Sequence, residues 1–427
     1  MLKVVKGSEK IKAEIESLRK GFYFLPEENA VKKIISQVLK GKDRALFKLT
    51  KKYDKADLSA CGLQVKEEEI KAAYKKVDKA TLSALNCAIE NIRSFHDKQK
   101  PDIFFDTAKN DVVLGLRAVP IDRVGVYVPG GSAVYPSSVL MNVIPALVAG
   151  VGKVCLCSPP NKNKTLHPLI LVAADQLGVR EIYKVGGAQA IAAMAFGTES
   201  IPKVDKIAGP GNVFVNIAKL LLSKVVGIDK FAGPSDVLIL ADCESNPAFA
   251  AADLLAQAEH DANASVFAVS NSLDFINALQ KEIVKQLKGL KRRNIIQQSL
   301  KKRGRIFFVS TVDEMVAIAN LVAPEHLEIM LDNPQSILEK IKHAGAVFMG
   351  PYSPVTVGDY MAGPNHVLPT EGGARFSSPL GVYDFIKYQS FLGYTKSALK
   401  ENRLAIEKLA NIEGLDAHAH SISIRFK

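Results

Sequence analysis

Tryptophan is absent from the 427 residues, aromatic side chains make up 7%, and the five cysteines (Cys61, Cys87, Cys155, Cys157, Cys243) include no C-x-x-C spacing. That last absence argues against a thiolate zinc knot, and an odd thiol count suits reduced cysteines in a reducing compartment, so the cytoplasm is the expected address. No apolar run approaches the roughly 20 uncharged residues that span a bilayer. Lys and Glu interrupt the N-terminus from Lys3 onward, so no signal peptide is expected either. No G-x-G-x-x-G is complete: Gly150-Val151-Gly152 runs into Cys155, and Gly209-Pro210-Gly211 into Phe214, where the third glycine would fall. Short-period repeats and low-complexity tracts are missing as well.

Acid is the scarcer charge. The formal net charge of +12 would suit a nucleic-acid partner, but the surplus is local, with ten Lys or Arg against one acid between Ile276 and Arg305. Ile276, Leu279, Ile283, Leu287 and Leu290 recur there at helical spacing, which predicts an amphipathic helix with a solvated basic face. Without interleaved aromatics there is no base-stacking platform, so neither nucleic acid nor membrane is an expected partner.

What is present is a large α/β protein. A composition of 48% hydrophobic and 23% charged residues can bury a sizeable core and fill two or more domains. The first hundred residues read as helical, with stripes at Ile11, Ile15 and Leu18 and at Leu82, Leu85, Ile89 and Ile92, punctuated by Leu25-Pro26 and Gly41. From about Val112, short apolar runs alternate with helical patterns: 124–128, 154–157, 182–185, 237–240, 266–269, 306–309 and 346–349. That alternation predicts two doubly wound, Rossmann-like parallel sheets with helical N-terminal and C-terminal extensions. The expected partition is 1–25 as the N-terminal extension, 26–128 with 237–380 as a first α/β domain, 129–236 as a second, and 381–427 as a C-terminal tail.

Ligands of such sheets bind beyond the carboxyl ends of strands, where glycine lets backbone approach a phosphate. Tyr127-Val128-Pro129-Gly130-Gly131-Ser132, Gly186-Gly187-Ala188-Gln189 and Ala208-Gly209-Pro210-Gly211-Asn212 are such turns, open to a dinucleotide or to a purely structural role. Four other segments concentrate metal-capable and proton-moving side chains, and hold four of the eight histidines: 257–261, 324–326, 358–366 and 414–418. Gln257 and His260 are spaced to share a helix face on a helix from Pro247 to about Ala262, as ligands or as a structural pair. Asp359 falls in a Gly/Pro-rich loop, and His418 lies close to the C-terminus. Glu325-His326 precedes an apolar strand, Leu327 to Leu331, and joins an imidazole that can take a proton to a carboxylate that can activate water.

Two other readings stand beside a metal-assisted enzyme. Aldehyde oxidation through a thiohemiacetal would use Cys155 or Cys157, which share one strand face but have no histidine or helix N-terminus obviously placed to activate them. A two-lobed, non-catalytic small-ligand-binding protein would explain the paired sheets, though not Glu325-His326 beside a ligand set.

The blocks Ile228-Asp229-Lys230-Phe231-Ala232-Gly233-Pro234-Ser235, Ala256-Gln257-Ala258-Glu259-His260-Asp261, Pro324-Glu325-His326-Leu327 and Asn365-His366-Val367-Leu368-Pro369-Thr370 resemble the signature of histidinol dehydrogenase, as do 186–190 and 208–212. The resemblance covers nearly the whole chain in family order. One departure is Asp236, where Glu is the more usual residue; it is expected to lie outside the reacting centre's immediate contacts. The resemblance implies oxidation of L-histidinol through L-histidinaldehyde to L-histidine with two NAD molecules in succession, the last steps of histidine biosynthesis. It also implies a Zn2+ per subunit held by Gln257, His260, Asp359 and His418, with His326 as base and Glu325 activating water. Ser235, His366 and Glu413 are similar to substrate contacts, alongside the metal ligands and His326. Tyr127, Gln189 and Asn212 are similar to NAD contacts. A homodimer is implied too, in which the tail crosses so that His418 completes the other subunit's site. Because the substrate amine must bind neutral, activity is expected to rise from acid toward mildly alkaline pH.

Overall fold

Two parallel sheets built on one winding pattern organise the chain. The computed structural model describes residues 2–19, 26–101, 104–108, 112–130, 134–230 and 233–427. Its strands are β1 (Lys3–Lys6), β2 (Phe104–Ala108), β3 (Val112–Pro120), β4 (Arg123–Tyr127), β5 (Lys153–Ser158), β6 (Glu181–Lys184) and β7 (Lys206–Ala208). They continue with β8 (Gly227–Ile228), β9 (Asp236–Ala241), β10 (Ser265–Ser270), β11 (Gly304–Phe308), β12 (His326–Ile329), β13 (Ala346–Met349) and β14 (Ile386–Gly393). One sheet has the order β6-β5-β4-β7-β8 and the other β1-β11-β10-β9-β12-β13. Apart from β1, both wind outward in two directions from their first strand in sequence, which makes a topological switch beside β4 and another beside β9.

Both faces of each sheet are covered, so the strands are apolar on alternate positions of both sides. In β9, Val237, Ile239 and Ala241 pack with the helices Pro247–Ala258 and Leu273–Leu287, while Leu238 and Leu240 pack with Ser8–Arg19 and Val312–Val322. In β5, Val154 and Leu156 face the helices Lys79–Asp97, Pro136–Val148 and Pro168–Gln176. Cys155 and Cys157 face Glu28–Tyr53, Gly187–Phe196 and Val213–Leu222. Each fully buried Val, Leu or Ile contributes about 1.5–3 kcal/mol relative to exposure, and these two layers hold most of them.

Several sequence expectations are corrected by this packing. Residues 26–128 were grouped with 237–380, yet the helices Glu28–Tyr53, Glu67–Tyr74 and Lys79–Asp97 cover the five-stranded sheet and β4 is its central strand. Helical periodicity shows which face is apolar but not which sheet it meets. The N-terminal extension is helical over Ser8–Arg19 and also supplies β1, a sheet edge that the short run Val4-Val5 did not announce; its boundary at Leu25 lies outside the described residues. The basic stretch is two helices, Leu273–Leu287 and Arg293–Arg303, with Leu290 between them. The helix at Pro247 ends at Ala258, so His260 sits in the following turn, and Asp359 belongs to a short helix, Val355–Tyr360, rather than a loop.

The C-terminal segment returns as β14, antiparallel to β3 from Ile386↔Pro120 to Gly393↔Val113, with β2 on the far side of β3. Beyond it the helices Lys396–Ile412 and Asp416–Ser423 are largely exposed, including Leu404, Leu409 and Ile412.

Candidate active site

The Glu325-His326 pair is set by how the preceding helix stops. Arg19 donates to the carbonyls of Leu321 and Val322, and Arg375 to those of Asn320 and Leu321, so two guanidiniums satisfy the last carbonyls of the helix Val312–Val322. Ala323 then turns left-handed at φ 45°, and Pro324 directs the chain into β12. The Glu325 carbonyl accepts from the Ala346 N–H at 2.9 Å. A Cβ on neighbouring Gly345 would come within 2.5 Å of that oxygen, so only glycine fits there.

Glu325 and His326 are each 5% exposed. The His326 Nδ1 lies 2.9 Å from the Asp236 carbonyl oxygen, so Nδ1–H donates and Nε2 is left with its lone pair. Glu325 Oε2 stands 3.7 Å from the same nitrogen. Burial pulls His326 down to about 4, with the His260 and His366 charges adding to it and the Asp236 carbonyl opposing. His326 is therefore a neutral proton acceptor at neutral pH. Burial, joined by the Asp236 and Asp359 charges, pushes Glu325 well above the usual carboxylate range, against hydrogen bonds from the Asp236 N–H and the Ser235 hydroxyl.

Around this pair the structure gathers Ser235, His260, Asp359 and His366. His366 Nδ1 is 3.2 Å from the Asp359 carbonyl oxygen and 3.8 Å from its carboxylate. Burial raises Asp359 to about 6 and lowers His366 to about 4. His260 keeps exposed surface, yet desolvation lowers it, Arg292 adding to the effect and Glu259 opposing. Gln257, 3% exposed and within the last turn of its helix, has a side-chain Nε2 with no hydrogen-bond partner. Glu413 and His418 are exposed on the C-terminal helical segment. Among the described residues, no three His, Cys, Asp or Glu side chains of the single chain could hold a metal ion.

The site occupies the amino edge of the six-stranded sheet, because His326 opens β12 and Asp236 opens β9. The expectation that ligands meet the carboxyl ends of strands is corrected for this sheet. It suits the five-stranded one, where the Gly-rich turns follow β4, β6 and β7. There Tyr127 is buried and its hydroxyl accepts from the Gly187 N–H at 3.0 Å. Gly209, at φ +119°, passes so close to the Tyr127 carbonyl that a Cβ would lie 2.1 Å from it. Asn212 caps the helix Val213–Leu222 by accepting from the Val215 N–H, and Gln189 is buried in the turn's first helix. Gly131, Ser132, Phe231 and Ala232 lie outside the described residues.

Asp236, expected outside the reacting centre's immediate contacts, lies directly beneath the pair and bonds to both of its members, a role sequence reasoning did not assign. Its neighbour Val237 is in register with His326, a relation no local pattern carries. The thiol alternative finds no support: Cys155 and Cys157 are fully buried, and burial raises Cys155 to about 12 and Cys157 well above its ordinary value.

A buried imidazole oriented by a backbone carbonyl, beside a carboxyl group and at the edge of a doubly wound sheet, defines an α/β enzyme equipped for proton abstraction. The histidinol dehydrogenase family model matches residues 25–426. The chain is 51% identical over 401 residues to the histidinol dehydrogenase of Halalkalibacterium halodurans, covering 94% of both chains. It is 52% identical over 397 residues to that of Clostridium acetobutylicum, covering 93% of this chain and 92% of the other. The structure of histidinol dehydrogenase from Elizabethkingia anophelis superposes with a TM-score of 0.94 at 38% identity, covering 100% of this chain and 98% of that one. The chain belongs to the histidinol dehydrogenase family, and so to the oxidoreductases of histidine biosynthesis.

Proposed function

We propose that this chain oxidises L-histidinol to L-histidinaldehyde and then to L-histidine, passing one hydride to each of two NAD molecules in turn. In the first half His326 Nε2 takes the hydroxyl proton as hydride leaves the carbon. In the second, water adds to the aldehyde with Glu325 accepting its proton; the hydrate then loses a hydride to NAD and a proton to His326, leaving the acid. The observation that carries this reading is the His326 tautomer: with Nδ1–H committed to the Asp236 carbonyl, the buried ring can only accept at Nε2. Burial of the pair also keeps a reactive aldehyde from bulk water.

Gln257, His260 and Asp359 of one chain, with His418 of a second copy, are the residues that would hold Zn2+. The unpartnered, buried Gln257 amide supports a ligand there, since a turned amide presents its oxygen. When bound, the metal supplies an anchor for the substrate's imidazole and amine nitrogens. Only two of these donors in one chain are His, Cys, Asp or Glu, which fits a set completed from another copy. The exposed Leu404, Leu409, Ile412 and Leu415 on the tail support a homodimer that buries them. Ser235, His366 and Glu413 are proposed to contact substrate, and Tyr127, Gln189 and Asn212 to line or shape the NAD site. Five unpaired thiols support a cytoplasmic address, and no described helix is long and apolar enough to cross a membrane.

The test is NADH formation by purified protein from histidinol and NAD, with and without zinc and after chelation. Two NADH per histidine are expected, and a flat absorbance with every metal tried would refute the reading.

A further inference from the structure

Asp236 touches both members of the catalytic pair through three different atoms. Its carboxylate Oδ1 accepts from the Glu325 backbone N–H at 2.8 Å, and its own N–H donates to Glu325 Oε2 at 3.1 Å. Its carbonyl oxygen accepts from His326 Nδ1 at 2.9 Å. The first two bonds are reciprocal, so the Glu325 backbone and carboxyl are held at once. Two of the three bonds use backbone atoms, which any residue would offer. The bond to the Glu325 N–H uses the side chain and belongs to this residue alone.

The carboxylate is itself fixed from behind. The backbone N–H of Glu371 donates to it, and Arg303 and Arg19 lie near enough to favour its charge. Arg303 is held in turn by the Ser265 hydroxyl at 2.6 Å and by Glu371 at 3.5 Å. These side chains arrive from the helices Ser8–Arg19 and Arg293–Arg303, from β10 and from the loop after Thr370, and they wall a small cavity behind Asp236. On the other side, Glu325 faces Asp236, Ser235, His326 and Asp359. A buried carboxylate without a reaction to perform is costly, and here it is aimed at the backbone of a residue that has one.

We propose that Asp236 is a positioning residue for the aldehyde-oxidising half of the reaction: its carboxylate locks the Glu325 backbone and thereby aims the Glu325 carboxyl at the water that adds to the aldehyde. This rests on the function proposed above and adds a residue to it. His326 keeps its bond to a backbone carbonyl in any variant, so alcohol oxidation depends less on the Asp236 side chain.

The experiment compares Asp236→Ala, Asp236→Asn and Asp236→Glu in the full-length, metal-loaded enzyme, starting reactions separately from histidinol and from histidinaldehyde. Asp236→Ala is expected to lower kcat from the aldehyde by about tenfold to a hundredfold, the scale of a slightly misplaced reacting group, and to lower the alcohol step less. Asp236→Asn keeps an acceptor for the Glu325 N–H but not the charge. It is expected to keep most of the aldehyde rate, with what is lost falling on the aldehyde half rather than the alcohol half. Asp236→Glu restores a carboxylate and is expected to recover the aldehyde rate. Equal losses in both halves, in Asp236→Ala or in Asp236→Asn, would overturn the proposal. If Asp236→Ala does not fold, Asp236→Asn decides alone. Glu325→Gln run in parallel separates the two levels: a normal aldehyde rate in that variant sinks the proposed function itself, whereas a lost rate there with an unaffected Asp236 series sinks only the role of Asp236.

Discussion

Lys219 and Asp229 form an ion pair in which each side chain is 1% exposed, and both hold the same residue. The Gly209 N–H donates to Asp229 Oδ2 at 2.8 Å, and the Gly209 carbonyl accepts from Lys219 Nζ at 3.1 Å. Removing one partner strands a buried charge, at a cost of about 3–5 kcal/mol. Asp229→Asn and Lys219→Met are expected to lower the melting temperature and raise KM for NAD with little change in KM for histidinol. Equal changes in both constants would detach this pair from the proposed NAD site.

Glu328, two residues beyond His326, accepts from the Val355 N–H at 2.9 Å and meets Asp253 of the helix Pro247–Ala258. Burial and the Asp253 charge push Glu328 up to about 8 from 4.5. The folded protein thus holds a proton that the unfolded chain has released, and stability is lost as pH rises through that window. Glu328→Gln mimics the protonated form. Its stability relative to the parent is expected to improve between about pH 5 and pH 8 by about 1–3 kcal/mol. Denaturant melts at both pH values measure it, and a constant difference would contradict it.

Metal content should separate ligands from the base. His260→Ala, Asp359→Ala and His418→Ala are expected to lose zinc, while His326→Ala keeps zinc and loses turnover by about a hundredfold or more. Elemental analysis of the four purified variants checks this, and equal zinc in all would reassign the ligands.

Cys155 and Cys157 are core residues on the face opposite Val154 and Leu156. Cys155→Ala with Cys157→Ala is expected to keep kcat and to lose about 1–2 kcal/mol of stability through lost packing. An activity loss without a stability loss would revive the thiol alternative.

Much of this architecture was legible in the sequence. The runs at Val154, Ile182, Val237, Val266 and Ile306 are strands because alternate apolar positions on both faces leave the backbone no other way to bury them. The antiparallel β3 and β14 were not, since Gly115, Arg117, Lys387 and Gln389 break the alternation and the partners are far apart in sequence. Glu325-His326 and the ligand candidates were visible as residue types. The bonds from Asp236 to Glu325 and His326 are not legible, because they depend on register between β9 and β12, which is a tertiary property. Lys219-Asp229 and Asp253-Glu328 carry no sequence signal, because each pair is brought together only by tertiary burial.

Strand β1 has a consequence for how this protein is made. Lys3 to Lys6 lie alongside Arg305 to Phe308, so the opening segment has no neighbour to hydrogen-bond until most of the polypeptide has left the ribosome. The strands β4 to β8 all precede Arg305 in the sequence, but Val367, Leu380, Val382 and Phe385 complete the core on one of their faces, so neither layer is fully packed until residues beyond Arg305 have been made. Pairing of β1 and assembly of the site around His326 thus both depend on residues from Arg305 onward, at opposite sides of β9 in one sheet.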